Sequence, residues 1–475
     1  MKTLSTDVAI IGAGTAGMTA YRAVKRAGKS ALLIESGPYG TTCARVGCMP
    51  SKLLIAAADV AHSARHAAPF GVHVDNVRID GAAVMRRVRN ERDRFVGFVL
   101  DDIDGFDASE KLTGHARFLS DTTLQVGEDT RVEARSVVIA AGSSPVIPGD
   151  FSHLGDRVIV NDDVFDWETL PTSILVVGTG VIGLELGQAL SRLGVQTTLI
   201  NRSASLGGLR DPQVRASATE VFSAELDIRP NTVIQTTRRV GSKVHVELCT
   251  SDAPTSSAPQ AGGTPCGTVV VDYILVATGR APNLHGLDLE NTSVQWDERR
   301  RPVFDAQTLQ LSPAPIFIAG DVTGSLPVLH EAADEGTIAG KNAAAWPDVG
   351  PGLRRAPVAI VFTDPQLAYV GQRYPDLPET GMVIGEVSFS NQGRSRIMLK
   401  NKGLLRLYAQ EEGGLFVGAE MAGPHMEHMA HLLSWAVQQK LTVFDMLAMP
   451  YYHPVIEEGL RTAVRDAVRQ CRRLS

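Results

Sequence analysis

Two stretches decide the fold: DVAIIGAGTAG at residues 7–17 and ILVVGTGVIG at residues 174–183. Each is an apolar, β-branched run that flows straight into G-x-G-x-x-G, with Gly12, Gly14 and Gly17 in the first and Gly178, Gly180 and Gly183 in the second. Working outward, helical residues follow each motif (MTAYRAVKRAG, 18–28, and LELGQALSRLG, 184–194). A second apolar run comes next (ALLIES, 31–36, and TTLINRS, 197–203). The chain thus carries a β-α-β unit twice, and this context turns a short glycine pattern into a strong signal. The first glycine allows a tight turn and the second lets the backbone approach a pyrophosphate. The third lets helix and strand pack closely, while the helix N-terminus faces the phosphate charge. Each unit holds one dinucleotide, so two units imply two dinucleotides.

Further strands are expected to join the first unit. VVIAAGSSP (137–145) and ILVATGRAP (274–282) are apolar runs ending in small residues and a turn, and IFIAGDV (316–322) ends in Gly320 and Asp321. A carboxylate just past a buried strand end is placed to accept hydrogen bonds from a sugar-like chain, although Asp321 read alone serves equally as a helix N-cap. SDAPTSSAPQAGGTP (251–265) reads as an exposed polar loop. After about residue 350 the pattern changes. LRLYAQ (405–410) and part of MVIGEVSFS (382–390) alternate like half-buried strands, while MEHMAHLLSWAVQQ (426–439) and VIEEGLRTAVRDAVRQ (455–470) read as helices. The expected fold is therefore α/β, with two Rossmann-like dinucleotide-binding domains and a C-terminal α+β domain of the kind that makes an interface.

Composition narrows the function classes. At roughly 150 residues per domain, 475 residues suggest about three domains. A net charge of −6, the lack of a basic run and only 5% aromatic residues give no support to a nucleic-acid partner. No stretch approaches the roughly 18 apolar residues of a membrane span. The segment from Asp7 to Gly17 suits a buried strand better than a signal peptide. Five cysteines are too few and too scattered for a secreted disulfide scaffold. A cytoplasmic enzyme without membrane association is the expectation.

Two constellations carry chemistry. Cys43 and Cys48 lie in TTCARVGCMPSK (41–52), just after the first β-α-β unit. Zinc would want two further Cys or His at close spacing, and none is adjacent. Five residues of ideal helix would separate the two Cα atoms by about 7.5 Å of rise. A disulfide rarely spans more than about 6.8 Å, so a bridged pair requires a distorted segment, for which Gly47 and Pro50 are the plausible causes. A pair that closes at a helix start has a depressed thiol pKa and is easily reduced. Disulfide exchange also needs a base. His453, in YYHPVIEEG (451–459), is followed by Glu457 and Glu458, and a carboxylate on one imidazole nitrogen raises the basicity of the other. On local evidence, His453 equally fits a surface histidine beside acids, and the His425/His428 cluster equally fits packing.

Taken together, these residues resemble the flavoprotein disulfide reductases, most closely the dihydrolipoamide dehydrogenases. GTTCARVGCMPSK (40–52) is similar to the family's Gly-Gly-Thr-Cys-x4-Cys-x-Pro-Ser-Lys, with Thr41 where the family usually has Gly, and HPVIEE (453–458) is similar to His-Pro-Thr-x-x-Glu. GHARF (114–118), ATGRAPN (277–283), AGDV (319–322), FTDPQLAYVG (362–371) and VGAEMAGPH (417–425) match as well. The resemblance implies an FAD domain over 1–149, an NAD(P) domain over 150–270, a second FAD or central part over 271–348 and a dimerisation domain over 349–475. It places FAD along Gly12, Gly14 and Gly17 with Glu35 on the adenosine ribose, and Thr42, Lys52, Gly114, Ala116 and Asp321 complete that cradle. Lys52 would pair with Glu185, and the nicotinamide cofactor would use Gly178, Gly180, Gly183 and the turn at Gly279.

By the same resemblance Cys43 exchanges with a small dithiol, Cys48 faces the flavin, and His453 with Glu458 comes from the other subunit of a homodimer. The implied substrate is dihydrolipoamide, including lipoyl groups of a 2-oxoacid dehydrogenase complex. An NADPH-dependent reductase of another disulfide or a quinone is the alternative, with a non-enzymatic redox sensor as a different class. NAD or NADP is an open choice. Counting 23 residues from Gly12 reaches Glu35, but the same count from Gly178 reaches Asn201, followed by Arg202. An acid there would select NAD, whereas a guanidinium suits a 2′-phosphate. Either Arg202 turns the site toward NADP, or it points to solvent and leaves a slack NAD pocket.

Overall fold

A computed structural model describes residues 2–250 and 264–472. Most of the 251–265 loop therefore lies outside the described residues. The chain forms two compact units, one made of Met1–Pro50, Val88–Val146 and Arg280–Arg354, the other of Ser51–Arg87, Ile147–Gly279 and Arg355–Ser475.

The first unit is built on β1 (Lys2–Ile11), α1 (Thr15–Arg26) and β2 (Ala31–Glu35). β1 and β2 pair in parallel through Val8↔Ala31 to Ile11↔Ile34, as a crossover through one helix allows. Thr130–Ile139 pairs along the other edge of β1, and Ile316–Ile318 pairs in parallel beyond it. The C-terminal ends of β1 and Thr130–Ile139, residues 8–11 and 136–139, are buried with residues 31–34 on both faces and read as continuous runs rather than alternations. Val8, Ile10, Leu33, Val138 and Phe317 form the core on one side, and Ala9, Ile34, Val137 and Ile139 on the other. The short helix α2 (Thr42–Val46) follows β2 after one loop, and then α3 (Cys48–Arg65), which belongs to the second unit from Ser51 onward.

The second unit repeats the plan with β3 (Ser173–Val177), α4 (Val181–Arg192) and β4 (Gln196–Ile200), and then α5 (Pro212–Ser223). Its parallel sheet runs Asp227–Arg229, β4, β3, Tyr273–Val276 and Val158–Ile159. Tyr273–Val276 was expected with the first unit but belongs here, in register Leu275↔Val176 with β3. Only Arg280–Pro282 of that segment returns to the first unit, antiparallel to Ser143–Pro145. The expected boundary at 270/271 accordingly falls after Gly279. Ile274 and Val276 pack with Leu175, Ile200 and Val246, which holds the strand in this sheet.

The C-terminal part of the second unit is a five-stranded antiparallel sheet covered by α6 (Met426–Gln438) and α7 (Glu458–Gln470), the expected α+β arrangement. Phe389, Leu405, Met421, Met429, Leu433 and Ala463 fill the space between sheet and helices. Among the described residues no helix is long and apolar enough to cross a membrane.

Candidate active site and dinucleotide cradles

In the first cradle Gly12 has φ +105°, and a Cβ built there would sit 2.3 Å from the Ala140 carbonyl oxygen. A Cβ on Gly17 would sit 1.8 Å from the Gly12 oxygen, so no side chain fits at either position. Gly14 is the contrary case: it is the N-cap of α1, no side chain caps the helix, and nothing lies within 4 Å of its Cβ position. Uncapped first-turn amides beside open space, at the positive end of a helix, fit a phosphate. The second cradle repeats the geometry. Gly178 has φ +108° and would meet the Ala277 oxygen at 2.4 Å, Gly183 would meet the Gly178 oxygen at 2.0 Å, and Gly180 caps α4 in the open. Ala277 thus does for the second unit what Ala140 does for the first, which is why its strand belongs there. Both cradles fit a dinucleotide pyrophosphate.

Glu35 ends β2 with both carboxylate oxygens anchored, accepting from the Ala13 N–H at 2.7 Å and the Gly37 N–H at 2.7 Å. Its own carbonyl accepts from the Gly114 N–H at 2.9 Å, and Ala116 is buried two residues beyond. Asp321 opens a single 3-10 turn whose cap is Gly320, so it is not the N-cap; its carboxylate accepts from Ser143 Oγ at 3.1 Å. Behind this loop stands a residue that sequence reasoning missed. Glu335 is buried, accepts from the Gly320 N–H at 2.8 Å and is bridged by Arg354 at 2.9 Å. Burial pushes its carboxyl pKa up, against the hydrogen bond from Gly320 and the charge of Arg354. Its only sequence signal is an acid in the middle of an alanine- and glycine-rich helix.

Between the two cysteines the helix breaks. α2 stops at Val46, Gly47 takes φ −124° and ψ −115°, and α3 starts at Cys48. A Cβ on Gly47 would lie 3.0 Å from the Thr42 oxygen and 3.2 Å from Cys43 Cα, so the chain turns back onto Cys43 at a point where a side chain would be crowded by backbone. Cys43 is half-buried and Cys48 exposed. Thr42 begins α2. Thr41, at the expected glycine position, keeps a glycine-like φ of +58° and caps the helix by accepting from the Ala44 N–H at 3.2 Å.

The second unit holds the remaining expected residues. Lys52 Nζ donates to Glu185 Oε2 at 2.8 Å and lies 4.7 Å from the centre of the Phe362 ring. Glu185, on α4, is buried, and its other oxygen accepts from the Phe362 N–H at 2.9 Å. That carboxylate is fully engaged in positioning the lysine. His453 Nδ1 lies 2.9 and 3.0 Å from the two Glu458 oxygens, which selects Glu458 over Glu457 as its partner. The imidazole is 79% exposed. Gly279, at φ +135°, lies just past the strand that carries Ala277.

At the end of β4, Asn201 donates through Nδ2 to Ser205 Oγ at 2.8 Å. Asn201, Ser203, Ser205, Thr179, Pro230 and Arg215 help line a cavity of about 360 Å³. Arg202 is exposed and does not line that cavity. The cation that does is Arg215, one turn into α5, where Asp211 caps the helix by accepting from Gln213 and Val214 N–H groups.

The chain is similar to known proteins along nearly its whole length. A family model described as pyridine nucleotide-disulphide oxidoreductase matches residues 6–336, and the corresponding dimerisation domain matches residues 358–464. A dihydrolipoyl dehydrogenase of Haloferax volcanii is 29% identical over 98% of this chain and 97% of its own length. One of Chlamydia muridarum is 27% identical over 95% and 94%. Among solved structures, LpdA from Mycobacterium tuberculosis superposes with a TM-score of 0.81 at 22% identity, covering 98% of this chain and 99% of its own. The HOCl-induced flavoprotein disulfide reductase RclA from Escherichia coli gives 0.77 at 22% identity, covering 97% and 99%.

Proposed function

The chain belongs to the pyridine nucleotide-disulphide oxidoreductases, and on that premise we propose that it oxidises dihydrolipoamide through a Cys43–Cys48 disulfide. It is an enzyme of the flavoprotein disulfide oxidoreductase type and works with FAD and a pyridine nucleotide. The observation that carries the reading is the break at Gly47, which turns the chain back onto Cys43 directly after the first cradle. Gly12, Gly14, Gly17, Glu35 and Asp321 would hold FAD, which when bound would supply two-electron chemistry between the thiol pair and the pyridine nucleotide.

The chain's own residues do the thiol work. A substrate thiolate attacks the Cys43 sulfur, the Cys43–Cys48 bond breaks, and Cys48 leaves as the thiolate. The second substrate thiol then displaces Cys43, so the substrate becomes a disulfide and the pair is left reduced, one of the two substrate protons on Cys43 as the thiol and the other taken up by the base. His453 takes the proton at Nε2 while Glu458 holds Nδ1–H and stabilises the charged ring. An imidazole this exposed, with Nε2 unpaired among the described residues, suits a base donated to a second copy, so the working form is a homodimer with one His453–Glu458 pair serving each partner's cysteines. The scarcity of cysteines favours a cytoplasmic setting, and lipoyl groups of a 2-oxoacid dehydrogenase complex are the candidate macromolecular substrates. Thr41 and Lys52, flanking the cysteines in sequence, hold the local geometry.

For the nicotinamide cofactor we infer use of NADP as well as NAD. The cavity at the end of β4 offers hydroxyls, an amide and the Arg215 guanidinium, with no carboxylate to repel a 2′-phosphate.

The test is a direct assay of the FAD-loaded protein with dihydrolipoamide and, in the reverse sense, with glutathione disulfide. Lipoamide turnover well above glutathione turnover is expected, and the opposite order overturns the substrate assignment. Cys48→Ser should keep FAD and lose dithiol oxidation; loss of the flavin as well would make the cysteines structural. His453→Ala should lower kcat by about 10²–10⁴, the range for a lost general base. Mixing it with Cys43→Ser subunits should restore activity through heterodimers, and no recovery despite proven exchange would place both groups in one chain.

A further inference from the structure

At the start of α6 the C-terminal domain carries a group of chemistry-bearing side chains that the thiol chemistry does not use. His425, Glu427 and His428 follow one another as H-x-E-H, and one ligand atom from each lies within 4.8 Å of the other two. The two imidazole rings stack with centroids 5.8 Å apart. His428 Nε2 is 3.9 Å from Glu427 Oε1, too long for a hydrogen bond. Among the described residues the hydrogen bonds at Glu427 are made by its backbone: its N–H donates to Gln366 Oε1 at 3.0 Å, and its carbonyl accepts from His431 Nδ1 at 2.7 Å. Two imidazoles and a carboxylate therefore converge with their ligand atoms uncommitted.

We propose that this turn is a binding site for a borderline divalent metal ion, Zn²⁺ in the first place, held by His425, Glu427 and His428. Tetrahedral zinc with bonds of about 2.1 Å sets its ligand atoms roughly 3.4 Å apart, so the observed spacing closes by rotating side chains. The backbone beneath them is fixed. Met426 and Met429 are fully buried, and the His428 N–H donates to the His425 carbonyl at 3.1 Å. Imidazole with one carboxylate suits zinc and its neighbours, whereas calcium and magnesium want oxygen alone. The set carries one negative charge. Lys400 and Glu457 both act on His425 with opposite sign, and Lys400 is itself paired with Asp364 at 3.1 Å. Three protein ligands leave a fourth position for water.

The proposal stands apart from the dithiol reading, and its test reads binding. FAD-loaded wild type and His428→Ala are dialysed against Zn²⁺ alone and the bound metal counted. Zinc on thiols is common to both proteins and cancels in the difference. One additional Zn²⁺ per chain is expected in the wild type, with affinity lost in His428→Ala by at least the roughly tenfold that even an outer-sphere partner carries. Zinc should raise the melting temperature of the wild type and not of the variant, because binding the native state stabilises it. Glu427→Gln should weaken binding in the same direction, which keeps the test open if His428→Ala fails to hold FAD. His431→Ala, one turn along and outside the ligand set, should bind as the wild type does. Equal zinc in wild type, His428→Ala and Glu427→Gln overturns the site, as does a loss in His431→Ala equal to that in His428→Ala.

Discussion

The two β-α-β units share their glycines almost atom for atom and differ at both ends of the helix between. At the phosphate end, the first unit finishes its second strand with Glu35, pinned by the Ala13 and Gly37 amides, while the second finishes with Asn201, turned toward a serine. At the far end, α1 closes with exposed Lys25 and Arg26, whereas α4 closes with Arg192, whose side chain is only 4% exposed. Three glycines thus shape the same open helix N-terminus in either unit. What surrounds them decides which dinucleotide is held and how firmly the unit is tied to its neighbours.

The sharpest way to break the comparison is to close one cradle at a time. In Gly183→Val the new Cβ falls 2.0 Å from the Gly178 oxygen, and in Gly17→Val 1.8 Å from the Gly12 oxygen, with backbone as the obstacle in both. Gly183→Val should hold FAD at full stoichiometry yet lose all pyridine-nucleotide turnover. Gly17→Val should lose the flavin itself. Absorbance of the purified proteins and a nucleotide-binding titration separate the two outcomes. Flavin loss in Gly183→Val, with Gly17→Val unaffected, would mean the two cradles have been assigned the wrong way round.

The glycine pattern of both cradles was legible because it is local: the open N-cap and the close helix approach of Gly17 onto Gly12, and of Gly183 onto Gly178, are each made within six positions. The helix break at Gly47 was legible for the same reason. Misreadings arose where long-range pairing decides. Tyr273–Val276 is four apolar residues, and nothing in four apolar residues says which parallel sheet they complete. Ala277 packed over Gly178 answers that only in three dimensions. Arg202 stands next to Asn201 in sequence yet is exposed, while Arg215, fourteen positions from Asn201, reaches the cavity because Asp211 caps α5 and sets its direction. Glu335 was passed over because a buried carboxylate needs partners, and Gly320 and Arg354 come from elsewhere in the chain.

An intermediate effect is expected at the strand ends. Asn201→Glu gives the second unit the acid of the first and should shift the ratio of kcat/KM values toward NAD by on the order of tenfold, about 1.4 kcal/mol. The carboxylate would accept from a ribose 2′-hydroxyl and repel a 2′-phosphate. Arg215→Ala should lower NADP turnover with little change for NAD, and Arg202→Ala should change neither, since only Arg215 lines the cavity. Binding of adenosine 2′,5′-bisphosphate against adenosine 5′-monophosphate gives the same comparison without turnover. A hundredfold wild-type preference for NAD would sink the inferred NADP use, and an effect of Arg202→Ala larger than that of Arg215→Ala would return the role to the exposed arginine.

The smallest expected effect sharpens the contrast at the other end of the helix. Arg192 bridges Glu225 at 2.6 Å, Asp59 at 3.1 Å and Asp364 at 3.4 Å, a network with no counterpart among the described residues at exposed Arg26. His62, on α3, lies against it, with Nδ1 3.7 Å from Glu225 Oε1 and its ring stacked on His66. Burial lowers the His62 pKa to about 4, helped by the Arg192 charge and opposed by Glu225. A histidine whose folded pKa is depressed binds its proton more readily in the unfolded chain. It therefore contributes stability that is complete above its unfolded pKa of about 6.5 and is lost as pH falls toward its folded value. His62→Gln, which cannot take up that proton, should flatten the fall in melting temperature between pH 6.5 and pH 4 while leaving the profile above pH 7 parallel to wild type. Arg192→Met should raise the His62 pKa and weaken the pH dependence in the same window, because one of the charges holding the imidazole neutral is gone. Wild-type and His62→Gln curves that run parallel down to pH 4 would show that the acid sensitivity belongs to the carboxylates around Arg192 and not to the histidine beside them.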